Sequence, residues 1–149
     1  ALLALGAEVR LADGETLDVE HFLARRDREP RPVVAAVALS RPPRGAFRFR
    51  KVSRVHPKGV SVMSISALVP TRGGRIAGAR IAYGAMGPTP VRAAAAERSL
   101  EGRSLDAAGI EPALARATDG LEPPTDALAS SWYRREVAPI HLARCLLGG

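Results

Sequence analysis

Hydrophobic and polar positions change their spacing between the two halves of the chain. Through residues 46–83 they alternate with the period of two that belongs to β-strands. In residues 46–55, Phe47, Phe49 and Lys51 fall on one side, with Arg48, Arg50 and Val52 on the other. Between Val60 and Val69, the residues Met63, Ile65, Ala67 and Val69 form a second apolar face. After an Arg72-Gly73-Gly74 turn, residues 75–83 return with Ala79, Ile81 and Tyr83 on one side. Three consecutive strands joined this way predict an antiparallel meander.

Upstream, residues 8–19 place Asp13-Gly14 between two short alternating runs, the signature of a hairpin with a tight primed turn. An apolar strand follows at residues 33–39, closed by Pro42-Pro43. The polar loop 25–32 before it marks a boundary between two structural units. Beyond Gly84 the pattern turns helical. Thr89 and Pro90 suit the cap and first position of a helix over residues 91–100 that stops at Gly102. Ser104 opens a second helix ending near Gly120, and Asp126 a third reaching Leu147, which Pro139 should kink or divide. Strands followed by helices predict an α+β fold with a helical bundle packed on one face of the meander, preceded by the short hairpin.

The chain has 149 residues, enough to bury about 68–70% of its unfolded surface without a metal or disulfide staple. The lone Cys145 excludes an internal disulfide, a four-cysteine zinc site and an iron–sulfur cluster carried by this chain alone. The longest uncharged run, residues 59–71, is too short for a membrane span, and the apolar opening lacks the basic flank of a signal peptide. A cytoplasmic address is the expectation. A chain that starts with alanine in mid-pattern is read as a piece of something longer.

The formal net charge of +7 is a local feature. Residues 25–54 hold ten basic residues (Arg25, Arg26, Arg28, Arg31, Arg41, Arg44, Arg48, Arg50, Lys51, Arg54) against Asp27 and Glu29, and the rest of the chain is nearly neutral. Such a patch suits phosphate or an acidic partner. His21, His56 and His141 lie in different elements without metal-ligand spacing, and no serine occupies a nucleophile elbow. Ser61, Ser64 and Ser66 read as packing residues, Trp132 and Tyr133 as core anchors, and Arg134 and Arg135 as a solvated or ion-paired helix face.

The meander, the strand Ile76-Ala77-Gly78-Ala79-Arg80-Ile81-Ala82-Tyr83-Gly84, the turn Pro88-Thr89-Pro90-Val91-Arg92-Ala93, a helix end from Glu97 to Gly102 and the start Tyr133-Arg134-Arg135 occur in a specific order. In this the chain resembles the carboxy-terminal part of the FAD-binding (medium) subunit of the molybdenum hydroxylases, the xanthine dehydrogenase and aerobic carbon monoxide dehydrogenase family. The resemblance divides the chain into the end of an FAD-binding lobe, residues 1–24, and a flavoprotein carboxy-terminal domain, residues 25–149.

It further implies a subunit that takes electrons from iron–sulfur clusters on a small partner subunit and passes them through FAD to NAD or another acceptor. The substrate would be oxidised on a large subunit carrying the molybdenum cofactor. The glycine-rich loops that hold the FAD pyrophosphate in the family have no equivalent here, so this chain would carry half a site and be inactive alone. The residues implied to approach the flavin are Val34 and Lys51, with Arg50 as a one-step register alternative. A cation there would stabilise the anionic reduced flavin. The chain departs from the family at Pro32-Val33-Val34, where members often have Glu-Leu-Leu, and at Gly59, where they have aspartate. Two other readings accompany this one. Phe47 and Phe49 among the basic residues suit a small nucleic-acid-binding module, and the same composition suits a docking domain without cofactor contact.

Overall fold

The computed structural model describes residues 1–55 and 59–148. A single helical turn, α1 (Leu2–Leu5), leads into a hairpin of β1 (Glu8–Leu11) and β2 (Thr16–Asp18). The hairpin loop is longer than the sequence predicts. Leu11 N–H donates to the Glu15 carbonyl at 2.8 Å, and Gly14, at φ 93°, has positive φ whereas Asp13 does not. Both primed two-residue turns need positive φ at the first position, which Asp13 lacks, so the loop instead takes the three-residue form ending in a left-handed glycine. The Asp13 carboxylate accepts from Glu15 N–H at 3.0 Å and holds the loop in that form.

Asp18 then caps α2 (Val19–Arg25), accepting from His21 N–H at 2.8 Å. After the 26–33 loop, β3 (Val34–Ala38) runs antiparallel to β1, with Glu8 opposite Ala38 and Leu11 opposite Val34. The first sheet is therefore ordered β2-β1-β3, and the strand after the loop joins the hairpin before it. Leu3, Ala4, Ala7, Val9, Leu11 and Val19 bury together beneath it, with Ala82 from the second sheet.

The meander forms as expected from β4 (Phe47–Ser53), β5 (Ser61–Leu68) and, past a small hairpin of β6 (Thr71–Arg72) and β7 (Arg75–Ile76), β8 (Arg80–Gly84). The expected third strand is split between β7 and β8. A fourth strand, β9 (Val91–Arg92), completes the order β4-β5-β8-β9 where the sequence predicts the start of a helix. The reason is Glu97. Its buried carboxylate accepts from Ile81 N–H at 2.8 Å and from Arg92 at 2.5 and 3.0 Å, tying β8 and β9 to the helix behind them. That helix, α3 (Ala94–Leu100), thus begins after Arg92, without a side-chain cap.

Two more helices follow, α4 (Ala107–Leu114) and α5 (Ser131–Leu147). Asp106 caps α4 through Gly109 N–H at 2.7 Å, and Ser130 caps α5 through Tyr133 N–H at 3.1 Å, in place of Ser104 and Asp126. The 17-residue α5 runs through Pro139 undivided. Helices α3 and α5 cover one face of the meander and α1 meets the other. Met63, Ile65, Ile81 and Tyr83 of the sheet bury against Leu100, Ile110, Leu142 and Leu146 of the helices, which sets this α+β layering.

Candidate functional site

The pleat of β4 sorts its residues onto two faces, and its pairing register extends each face across the sheet. Lys51 lies opposite Ser64, which lies opposite Gly84; Phe49 lies opposite Ser66, then Ala82. On the other face Arg50 lies opposite Ile65, then Tyr83, and Arg48 opposite Ala67, then Ile81. A one-residue slip would exchange these sets. The Phe47, Ser66 and Ala82 end of the first face is covered by the unit containing α1 and β1. Its Phe49, Lys51, Ser64 and Gly84 end is open, with Phe49 59% exposed and Lys51 exposed.

The open end has a low floor. A Cβ on Gly84 would come within 2.5 Å of Ser64 Oγ, so the sheet surface beside Lys51 carries no side chain larger than serine at that row. Just beyond, Ala85 holds φ 62°, a left-handed conformation that alanine adopts only when its surroundings impose it. Ser64, read in the sequence as a packing residue, thus stands beside the cation; nothing in its spacing distinguishes it from Ser66, which is buried.

Val34 sits on β3, the edge of the first sheet, and is 42% exposed. The hairpin unit to which β3 belongs packs on Ala82 and Phe47, the side of the second sheet that Lys51 takes. Arg50 points to the opposite side, half-buried toward α5. There Arg50 and Arg144 bring positive charge to His141; burial first, then these charges, hold its imidazole pKa below the ordinary value. Burial pushes the Cys145 thiol up, against the pull of Arg48 and Arg50, so it stays protonated. Tyr83, with Oη unpartnered among the described residues, is likewise driven up by burial. His56 lies outside the described residues. No cluster of three or more metal-ligating side chains forms among the described residues.

The basic run 25–31 is largely neutralised locally. Arg25 pairs with Glu15 at 2.6 Å, Arg26 with Asp27 at 3.3 Å and Arg31 with Glu29 at 3.2 Å. Arg25, Arg28, Glu29 and Arg31, together with the hairpin tip, border an open cleft of about 630 Å³ that reaches Val33.

One expectation for α5 is corrected, and the ion pair expected for its arginines forms at Arg134, but inside the protein. Trp132 is 69% and Tyr133 41% exposed, so neither anchors the core. Arg134 takes the inward position, fully buried, donating to the carbonyls of Val62, Pro124 and Ala129 and, through Nη2 alone, to both carboxylate oxygens of Asp126 at 2.8 and 2.9 Å. Two N–H bonds from Leu128 and Ala129, and the Arg134 guanidinium, hold the Asp126 carboxyl below its ordinary range. Arg135 instead stays exposed and donates to Leu121 O at 2.6 Å.

The sequence model of the CO dehydrogenase flavoprotein C-terminal domain matches residues 47–148. The chain belongs to that family. Its fold superposes on the reconstituted CO dehydrogenase from Oligotropha carboxidovorans with a TM-score of 0.81 at 24% identity, over 97% of this chain and 53% of that one. Quinoline 2-oxidoreductase from Pseudomonas putida 86 gives 0.82 at 26% identity, over 99% and 53%. A glyceraldehyde dehydrogenase medium chain from Sulfolobus acidocaldarius is 29% identical over 92 residues, 62% of this chain and 32% of the relative. The chain thus spans about half the length of the solved relatives and a third of the curated one. Among the described residues, no helix is long and apolar enough to cross a membrane.

Proposed function

We propose that the chain is the carboxy-terminal part of the FAD-bearing subunit of a molybdenum hydroxylase-type oxidoreductase, and that it supplies one wall of the flavin site. The observation that carries this reading is the open end of the β4-β5-β8 face in a chain of this family. A cation, Lys51, stands beside a floor of Ser64 and Gly84 low enough to admit a flat ring system, on the side of the sheet where the unit that carries the exposed aliphatic Val34 packs. These residues fit the edge of an isoalloxazine. Lys51 would bring positive charge to it, Val34 would cover it and exclude water, and the small floor would let it lie close to the backbone. Of the two register alternatives Lys51 is preferred, because Arg50 is turned toward α5.

When bound, FAD supplies the two-electron to one-electron exchange between a nicotinamide or other acceptor and iron–sulfur centres. In this reading those centres lie on a small subunit, substrate oxidation on a large subunit with the molybdenum cofactor, and the assembly is cytoplasmic. The reading assigns residues 1–24 to the end of the FAD-binding lobe and residues 25–149 to the carboxy-terminal domain, so the chain carries half of the site.

Titration with FAD, followed by flavin fluorescence in the chain and in the parent subunit, tests it. Saturable quenching weakened several-fold by Lys51→Ala and unchanged by Arg50→Ala is expected. Equal insensitivity to both substitutions removes Lys51 from the site, and absence of quenching in the parent subunit overturns the reading.

A further inference from the structure

The strands of the second sheet contain no carboxylate. Between Glu29 and Glu97 the sequence contains no aspartate or glutamate, while it contains Arg41, Arg44, Arg48, Arg50, Lys51 and Arg54 around β4. β4 is also the edge strand of its sheet, paired on one side with β5 and on the other with no strand among the described residues. Alternate N–H and C=O groups of a seven-residue strand are thereby left facing outward. Helix α5 adds to the same edge. His141 and Cys145 lie within reach of the charges of Arg48 and Arg50, and Arg144, one turn from His141 on that flank, is exposed. Neither Arg48 nor Arg144 forms an ion pair with a described residue.

From this we infer that the free edge of β4 is a docking site for an extended, acidic segment of a partner protein, which adds as a fifth strand. The backbone row supplies the ladder, and the charges select the partner. A strand placed there points alternate residues over the Arg48 and Arg144 side and over the exposed Phe49 side, so a segment alternating acidic and apolar residues fits best. A second copy of this chain fits badly, because pairing β4 with itself sets arginine against arginine. A strand edge with no partner strand among the described residues also matches a polypeptide better than a nucleic acid. The inference stands on the sheet edge and does not depend on flavin binding.

Fluorescence polarisation of a fluorescein-labelled peptide of alternating glutamate and valine, about ten residues long to match a strand, tests it on the full chain without FAD. Saturable binding is expected, weakened about tenfold by the double substitution Arg48→Gln, Arg144→Gln, with the far-UV spectrum unchanged. If that pair unfolds the chain, Arg144→Gln alone, at an exposed site, is expected to give a smaller loss in the same direction. The same peptide N-methylated at alternate amides keeps its charge but loses the ladder, and its binding is expected to be abolished. Equal binding of the methylated peptide, or of a lysine–valine peptide, overturns the inference. So do no binding at low salt, tighter binding of oligothymidylate at equal salt, or self-association that the Arg48 and Arg144 substitutions relieve.

Discussion

The two sheets use aliphatic residues in opposite ways. In the second sheet Val62, Met63, Ile65 and Ala67 of β5 are at most 1% exposed, because helices cover one face and the hairpin unit part of the other. In the first sheet β3 is at least as apolar in sequence, yet Val34 and Val37 are each 42% exposed and the flanking Val33 and Leu39 are 68% and 49%. Burial therefore follows from what packs on a strand and not from its composition. Contiguous exposed aliphatics of this kind mark a contact surface.

Substitutions on either side of this contrast sharpen it. The largest effect is expected at the junction of α5 and β5. Arg134→Ala removes a fully buried guanidinium and strands the carbonyls of Val62, Pro124 and Ala129, costing about 3–5 kcal/mol in denaturant unfolding. The exposed neighbour Arg135→Ala is expected to cost far less; equal losses would show that the network around Arg134 contributes little.

Next, Leu142→Ala opens a cavity under the second sheet, worth about 2–5 kcal/mol. A loss below about 1 kcal/mol, the lower edge of core effects, would mean that the helices cover the sheet loosely.

A smaller effect is expected from pH. Because the folded-state pKa of His141 is lowered, the unfolded chain binds the extra proton more readily. Its contribution is complete above the unfolded value of about 6.5 and is lost as pH falls below it. His141→Gln should flatten the slope of stability in that window. An unchanged slope would place the proton uptake elsewhere.

The smallest effect is expected on β3. Val37→Thr should shift unfolding by within about 0.5 kcal/mol, since the side chain already meets solvent. A loss as large as that of Leu142→Ala would abolish the distinction between the sheets.

Much of this architecture was legible in the residues. The alternation of β4 and β5, the glycine turn at Gly73-Gly74 and the late helices depend on local spacing, which a linear reading captures. The order of elements was distinctive enough to point to the family. The misread positions depend on distant partners. Val91 and Arg92 became a strand because Glu97 holds Arg92 and Ile81 at once, and Arg134 went inside because backbone carbonyls from β5 and the 121–130 loop converge on it. α1 and α2 were missed, being too short to show a helical period.

Sequence alone determined the periodicities, the uneven charge, the absence of carboxylates between Glu29 and Glu97 and the resemblance from which Val34, Arg50 and Lys51 were drawn. Tertiary structure alone decided which face each residue of β4 takes. It set Lys51 beside Ser64 and Gly84 and turned Arg50 toward α5, because strand register is fixed by the helices and hairpin that must bury one face. It also decided that β4 is an edge, since a free backbone row is a property of the whole sheet.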